Sequence, residues 1–386
     1  MNTQNPYCLM PWVHFHVGNE GYVKACCVAN ITYGNINTQS LDEVWNGEAV
    51  QGLREKFLKG EIDKRCAVCY KLEEAGGRSI RQETFEKFEH LDTPKQIINE
   101  RLPIYFDIRF SNKCNFRCRT CWHGASSGWY KEAKELGNAV AKQAVIQNIK
   151  DFDSFIEKMG EAILQAEEIY FAGGEPLVMN EHYLLLDYLI KNNATKVRLR
   201  YNTNFSILSY QNYDILKYWK QFESVEILAS IDAMGDLGEY IRKGMKWEVF
   251  LKNRELIREL PQVKFKIAPT VSVFNIRHLS ELYKFCVENN SIGPDDLYIN
   301  MLERPYHFNV KILPKAYKEK VEEEYSMFYE WLNQNKIDIS TKLKFKECID
   351  YMMAEDLNKY LGKFISETDK LDKSRVENRS QVIIFE

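Results

Sequence analysis

Short apolar runs and amphipathic stretches alternate along most of the chain. Six runs are rich in β-branched and aromatic residues and have the length of strands: 104–110, 168–172, 196–202, 225–230, 263–271 and 296–302. Stretches with helical periodicity lie between them: 152–166, 183–191, 210–222, 249–260 and 276–288. Strands that alternate with helices are typical of a parallel sheet with right-handed crossovers. The pattern therefore predicts an α/β fold of six units, too few to close an eight-stranded barrel.

The two ends of the chain differ in pattern from this central part. Residues 12–17 alternate, residues 18–21 form a turn sequence and residues 22–27 are again strand-like, which predicts a β-hairpin. A capping box of Ser40 and Glu43 predicts the start of one helix, and residues 49–59 predict another. We divide the chain into a cysteine-rich hairpin and helix module (1–80), a charged connector (81–103), the α/β domain (104–305) and a helical C-terminal extension (306–386).

Composition narrows the classes of protein that fit this layout. The chain has 386 residues, 45% of them hydrophobic, and a formal net charge of -3 with scattered lysines and arginines. This charge distribution argues against a long nucleic acid as the main partner. No apolar run reaches the roughly 18 residues of a membrane span, and the N-terminus lacks the pattern of a signal peptide. Ten cysteines without a secretion signal indicate a reducing compartment, so we expect a cytoplasmic protein.

Three cysteines are closely spaced directly after the first predicted strand of the α/β domain. Cys114, Cys118 and Cys121 have the spacing C-x3-C-x2-C. Thiolate clusters normally take four cysteines, so three on one loop leave one iron open to an external chelator. Zinc sites favour paired cysteines from two separate turns. The spacing thus favours an iron–sulfur cluster, with a partial zinc site or three reduced thiols as the alternatives.

This spacing resembles that of the radical S-adenosylmethionine (SAM) enzymes, in which three cysteines hold a [4Fe-4S] cluster. The resemblance implies that the amino and carboxylate groups of SAM chelate the fourth iron. One electron from the cluster then cleaves SAM and yields a 5′-deoxyadenosyl radical. The resemblance also implies an open (β/α)6 partial barrel, whose strand ends share one rim.

Several motifs follow the predicted strands at positions where that family binds SAM. A Gly-Gly-Glu-Pro sequence after the second strand resembles the GGE motif, which binds the SAM amino group; by itself it is also a plain turn. A serine after the fourth strand and an arginine twelve residues later match positions that contact the ribose and carboxylate, although such an arginine can also lie on a helix surface. Asparagines at two other strand exits are further candidates. The candidate cofactor-binding residues are Gly173, Gly174, Glu175, Asn204, Ser230, Arg242 and Asn275.

A second group of cysteines lies in the N-terminal module. The predicted hairpin has a cysteine at each end, and a C-x2-C pair follows the two helices, so four thiols can converge. These pieces resemble the SPASM and twitch modules, which hold auxiliary clusters and in most relatives follow the radical domain. The cysteine count fits one auxiliary [4Fe-4S] cluster, with a structural zinc site as the alternative. The candidate ligands are Cys8, Cys26, Cys66 and Cys69; Cys27 stays open as an alternative to Cys26, which the spacing from Gly21 favours.

The resemblance implies an enzyme that abstracts hydrogen from a substrate carbon. An auxiliary cluster can accept an electron from the substrate radical, so we expect oxidation or cross-linking of a peptide or peptidyl substrate. An external electron donor such as flavodoxin or ferredoxin is implied. A dehydrogenase or epimerase that acts on a sugar or another small metabolite is the alternative. The hypothesis from another functional class is a non-catalytic protein with structural clusters or zinc. It leaves the glycine, serine and arginine motifs without a role.

Overall fold

The computed structural model describes residues 6–74, 77–91 and 102–378. The strands are β1 His14–Val17, β2 Tyr22–Lys24, β3 Thr32–Asn35, β4 Tyr105–Ile108, β5 Arg117–Cys118, β6 Glu168–Phe171, β7 Arg198–Thr203, β8 Ser209–Tyr210, β9 Tyr213–Asp214, β10 Val225–Ala229, β11 Arg242–Lys243, β12 Val263–Ile267, β13 Thr270–Val271 and β14 Asn300–Met301. The helices are α1 Met10–Val13, α2 Leu41–Trp45, α3 Glu48–Leu58, α4 Ala67–Glu74, α5 Ile80–Lys87, α6 Tyr130–Glu135, α7 Phe152–Leu164, α8 Asn180–Lys191, α9 Ile215–Trp219, α10 Gly235–Ile241, α11 Trp247–Ile257, α12 Leu279–Glu288, α13 Lys315–Gln334, α14 Ile339–Met353 and α15 Leu361–Arg375.

The largest sheet has eight strands in the order β12-β10-β7-β6-β4-β1-β2-β3. β1 pairs in parallel with β4, β4 with β6 and β6 with β7, whereas β2 and β3 continue the sheet in antiparallel pairs. The sixth predicted strand is reduced to β14, which pairs in parallel with β13. The predicted α/β fold with a parallel sheet is therefore confirmed, and each predicted strand lies at its expected place but is shorter.

The N-terminal hairpin extends the parallel sheet. Residues 10–13 form a helical turn, which includes Trp12 and Val13 of the stretch that the sequence pattern had placed in a strand. Pro11 is at the first turn, where proline favours a helix. β1 therefore begins at His14, and Phe15 lies in register with Phe106 of β4. The sequence predicted neither β3 nor this pairing. The capping box is present, with the Ser40 side chain accepting from the backbone N–H of Glu43.

The chain divides into two compact units. The first comprises Met1–Lys113, Val145–Tyr201 and Lys217–Val225, and the second comprises Cys114–Ala144, Asn202–Leu216 and Glu226–Glu386. The first unit thus contains the N-terminal cysteines and the Gly-Gly-Glu motif, and the second contains the three-cysteine loop. The four domain ranges given above stay predictions.

The first unit has an apolar core on one face of its sheet. Trp45 of α2 packs against Phe15, and His182 of α8 packs edge-on against Phe171. Side chains that share this face are completely buried: Phe15, Phe106, Ile108, Ile169, Phe171, Leu199 and Tyr201.

Aromatic residues join the C-terminal helices of the second unit to α12. Phe328 of α13 and Phe345 of α14 both pack against Tyr283 of α12. Helices α13, α14 and α15 confirm the predicted helical character of this part of the chain in the described residues. No helix in the described residues combines the length and apolar character needed to cross a membrane.

Candidate functional site

Backbone hydrogen bonds within the second unit fix the loop that carries Cys114, Cys118 and Cys121. β5 pairs with β11 in antiparallel fashion, which places Arg242 opposite Cys118. The Cys121 N–H and the Trp129 indole N–H both donate to the carbonyl oxygen of Cys118, at 3.0 and 2.9 Å. These hydrogen bonds set the conformation of the loop.

The thiols of this loop are close to one another and to a cation. Burial raises the pKa of Cys118 to about 12, which Arg242 opposes and the thiols of Cys121 and Cys114 reinforce. The Phe116 N–H donates to the Cys114 sulfur at 3.4 Å. A coordinated thiol loses its proton, and N–H donors to sulfur are usual around iron–sulfur clusters. The donor set therefore fits a three-cysteine cluster site.

Arg242 is held beside the cysteine loop by a buried carboxylate. Its Nε lies 2.8 Å from Asp232 Oδ2, and its Nη2 donates to Asp232 Oδ1 at 3.0 Å. Its Nη1 lies 3.8 Å from the Cys118 sulfur. Asp232 is completely buried and also accepts from the Thr270 N–H. This pair directs one edge of the guanidinium towards Cys118, and the sequence reasoning had given Asp232 no role.

The other predicted SAM-binding residues of the second unit, which are Asn204, Asn275 and Ser230, have different surroundings. Asn204 donates to Asn115 Oδ1 at 2.8 Å, which brings it to the cysteine loop. Asn275 is completely buried and donates to the carbonyl oxygen of Asp232 at 2.8 Å, so it supports the turn that carries this carboxylate. Ser230 is half-buried, and its N–H donates to the carbonyl oxygen of Thr203. A contact of each residue with SAM stays a prediction.

The Gly-Gly-Glu motif of the first unit is a tight turn against the residues that precede the cysteine loop. Gly173 and Gly174 have left-handed φ angles of 77° and 47°. A Cβ on Gly174 would lie 2.2 Å from the carbonyl oxygen of Lys113, so only glycine fits. The Glu175 N–H donates to that same oxygen at 2.7 Å, and its Oε1 accepts from the Leu177 N–H. Lys113 directly precedes Cys114 in the chain.

The N-terminal thiols also form one neighbourhood. Burial raises the pKa of Cys8 well above its usual value, and the thiols of Cys26, Cys69 and Cys66 add to that rise. Cys26 is buried, whereas Cys27 is exposed and its charged neighbours are Asp107 and Arg109. This arrangement favours Cys26 over Cys27 as the fourth ligand.

The chemistry of both groups suits clusters. None of the ten cysteines forms a disulfide. In the described residues, no three histidine, cysteine, aspartate or glutamate side chains are arranged to hold one metal ion. In a four-iron cluster each thiolate binds a different iron, so the sulfur atoms do not have to meet at one point.

Sequence reasoning missed a polar row in the first unit. His16, Asp107, Tyr170 and Arg200 lie in register across four parallel strands. The sequence signal was the alternation of polar and apolar residues in runs such as 104–110 and 196–202, which is typical of an ordinary strand.

Comparison with known proteins gives two domain matches. Residues 8–70 match SPASM, an iron–sulfur cluster-binding domain, and residues 108–286 match the radical SAM superfamily. No curated protein matches the chain.

Several solved structures are similar to the chain. Native anSMEcpe with bound AdoMet has a TM-score of 0.43 and 19% identity, over 61% of this chain and 64% of that chain. Streptococcus suis SuiB bound to S-adenosylmethionine has a TM-score of 0.40 and 15% identity, over 75% of this chain and 59% of that chain. The match thus spans about three fifths of each of these structures.

Proposed function

We propose that this chain, which belongs to the radical SAM superfamily and carries a SPASM domain, uses SAM to abstract hydrogen from a substrate carbon. The domains imply SAM, a [4Fe-4S] cluster that binds it, and auxiliary iron–sulfur chemistry. The observation that carries the proposal is the position of Arg242: Asp232 clamps it, and its free edge lies 3.8 Å from the sulfur of Cys118.

The proposal gives each of the following predicted residues a role. Cys114, Cys118 and Cys121 would hold the cluster, which supplies the electron that cleaves SAM. Arg242 would orient the SAM carboxylate, because a guanidinium edge accommodates two oxygens. Gly173 and Gly174 let the turn pack closely against Arg109 and Lys113, where a side chain at either position would be strained. Glu175 is buried, and its carboxylate would accept a hydrogen bond from the SAM amino group.

Cys8, Cys26, Cys66 and Cys69 would hold one auxiliary [4Fe-4S] cluster. Their mutual proximity supports this assignment. Such a cluster can take an electron from a substrate radical, which favours an oxidation or a cross-link. We propose a peptide or peptidyl substrate, a cytoplasmic location and an electron donor of the flavodoxin or ferredoxin type. A sugar or another small metabolite is the alternative substrate.

One anaerobic incubation tests the reaction class. The reconstituted chain is mixed with dithionite and SAM, with Cys118→Ala as the control. Release of 5′-deoxyadenosine that the control lacks supports the proposal. Release of S-adenosylhomocysteine would indicate methyl transfer instead. Absence of both products would indicate a non-catalytic protein. Zinc in place of iron would overturn the cluster assignment.

A further inference from the structure

A tyrosine hydroxyl in the N-terminal part of the first unit is buried without a hydrogen-bond partner. Tyr33 lies on β3 and is buried, and no donor or acceptor among the described residues reaches its phenol oxygen. A buried polar group in this state costs free energy, so native structures contain few of them. An acceptor on a bound group would remove this cost.

The backbone of β3 is irregular at this tyrosine. Val23 of β2 pairs with Gly34, and Lys24 pairs with Thr32, so Tyr33 is the extra residue between these two pairs. An extra residue of this kind is a β-bulge, which changes the direction of a side chain and is frequent next to functional sites. Beyond the bulge, the Ala25 N–H donates to the carbonyl oxygen of Ile31 at 3.0 Å. The two chain segments therefore stay together as far as the residue before Cys26.

The neighbours of the hydroxyl limit the acceptors that are available to it. A phenol keeps its proton at neutral pH, so the hydroxyl can donate. The groups that interact with it electrostatically are the thiols of Cys26, Cys8 and Cys66 and the guanidinium of Arg54. A guanidinium has no acceptor atom, and that of Arg54 donates to the Pro11 carbonyl oxygen at 3.0 Å and to Asn46 Oδ1 at 3.4 Å. The acceptors in this neighbourhood are therefore sulfur atoms, all from cysteines that we assign to the auxiliary site.

Tyr70 borders the same thiols but differs in the state of its hydroxyl. Its thiol neighbours are Cys66, Cys8 and Cys69. Its hydroxyl donates to the carbonyl oxygen of Pro6 at 2.7 Å. The proton of Tyr70 is thus already used within the protein, whereas that of Tyr33 is available to a bound group.

We propose that the Tyr33 hydroxyl donates a hydrogen bond to a sulfur atom of the auxiliary cluster and thereby raises the reduction potential of that cluster. The inference rests on the proposed function, which assigns the N-terminal thiols to this cluster. Hydrogen bonds to the sulfurs are among the factors that set the potential of an iron–sulfur cluster. Reduction adds one negative charge, so a donor stabilises the reduced form more than the oxidised form. A higher potential suits a cluster that takes an electron from a substrate radical.

A redox titration of the full chain with both clusters tests this role without turnover. The anaerobic protein is reduced stepwise with dithionite in the presence of redox mediators, and electron paramagnetic resonance follows the reduced clusters. Parallel samples with SAM identify the SAM-binding cluster, because SAM alters its signal. We expect Tyr33→Phe to lower the equilibrium constant for reduction of the auxiliary cluster about tenfold, which is about 59 mV for one electron. The potential of the SAM-binding cluster should stay the same.

Tyr70→Phe is the matched control, because it removes a hydroxyl whose proton is already bound to the Pro6 carbonyl oxygen. It should change the equilibrium constant for reduction of the auxiliary cluster by less than about twofold. Iron and sulfide contents check that each variant carries both clusters. If Tyr33→Phe loads poorly, a fluorinated tyrosine in place of Tyr33 keeps the ring and makes the hydroxyl a stronger donor, so it should raise the auxiliary potential.

Two results would overturn the inference alone: an unchanged auxiliary potential in a Tyr33 variant that carries its iron, or an equal shift in Tyr70→Phe. Zinc in place of iron at the N-terminal thiols would overturn the auxiliary cluster of the proposed function, and this inference with it. The metal content therefore separates the failure of the proposed function from the failure of the role given to Tyr33.

Discussion

The ion pair of Arg242 and Asp232 concerns both the stability of the fold and the proposed binding of SAM. Arg242→Ala would leave the completely buried Asp232 carboxylate without its cation. Breaking a buried ion pair in this way costs about 3–5 kcal/mol. We therefore expect urea titrations to show a free energy of unfolding that is lower by this amount, together with loss of SAM binding. Arg242→Lys should restore part of the stability but little of the SAM affinity, because an ammonium cannot grip a carboxylate at two points.

Lys246→Ala provides the control for that variant. Lys246 pairs with Glu239 at 2.6 Å on the surface, where ion pairs contribute little. We expect no measurable change in unfolding or in SAM binding. Equal effects of the two substitutions would contradict the special position of Arg242.

Gly174 and Gly235 separate backbone strain from lack of space. Their φ angles are nearly the same, 47° and 50°, but an added Cβ meets the Lys113 backbone at Gly174 and open space at Gly235. Gly235→Ala should cost about 1–2 kcal/mol from the left-handed φ alone. Gly174→Ala should cost clearly more and abolish SAM binding, as measured by urea unfolding and calorimetry. Similar costs would show that the contact with Lys113 does not matter.

At the scale of elements, α15 braces the three-cysteine loop. Arg119, between Cys118 and Cys121, is almost completely buried and donates to Asp372 Oδ1 at 2.6 Å and to Glu377. Asp372→Ala removes one of these carboxylates, which should cost about 2–3 kcal/mol for a buried charged hydrogen bond. We expect less iron per chain after gel filtration, because the loop is held less firmly. Glu367→Ala, on the surface of the same helix, should keep the iron content of the parent.

The two neighbouring cysteines after β2 differ in their suitability for the proposed auxiliary site. Cys26 is buried among the N-terminal thiols, whereas Cys27 has Asp107 and Arg109 as its charged neighbours. Cys26→Ser should therefore lose about half of the iron and sulfide, as should Cys66→Ala combined with Cys69→Ala. Cys27→Ser should lose none. Loss of iron in Cys27→Ser, with full loading of Cys26→Ser, would reverse the assignment.

For the whole molecule, the sequence predicted those features that depend on patterns within short stretches of the chain. The strand and helix periods and the cysteine spacings lie within short stretches, so the α/β fold and the resemblance to radical SAM enzymes followed from them. Contacts between distant residues leave no such signal. Phe15 pairs in register with Phe106, and Arg119 bonds to Asp372, 253 positions away. The sequence therefore predicted neither the extension of the sheet by the hairpin nor the brace by α15.

Two buried histidines make the free energy of unfolding depend on pH. Burial lowers the pKa of His182 to about 3 and that of His14 to about 4, so both are neutral in the folded chain at pH 7. In the unfolded chain they take up a proton near pH 6.5. Their contribution is therefore fully present above pH 6.5 and is lost as the pH falls, by about 2 kcal/mol for each histidine at pH 5.

Urea unfolding of the cluster-free chain between pH 7.5 and pH 5 measures this loss. His182→Gln should be less stable at pH 7.5, because its hydrogen bond to Tyr201 at 3.0 Å is disturbed. It should nevertheless lose about 2 kcal/mol less than the parent on going to pH 5, since glutamine takes up no proton. An unchanged pH slope in this variant would mean that His182 takes up its proton as readily in the folded chain as in the unfolded chain, in conflict with its complete burial.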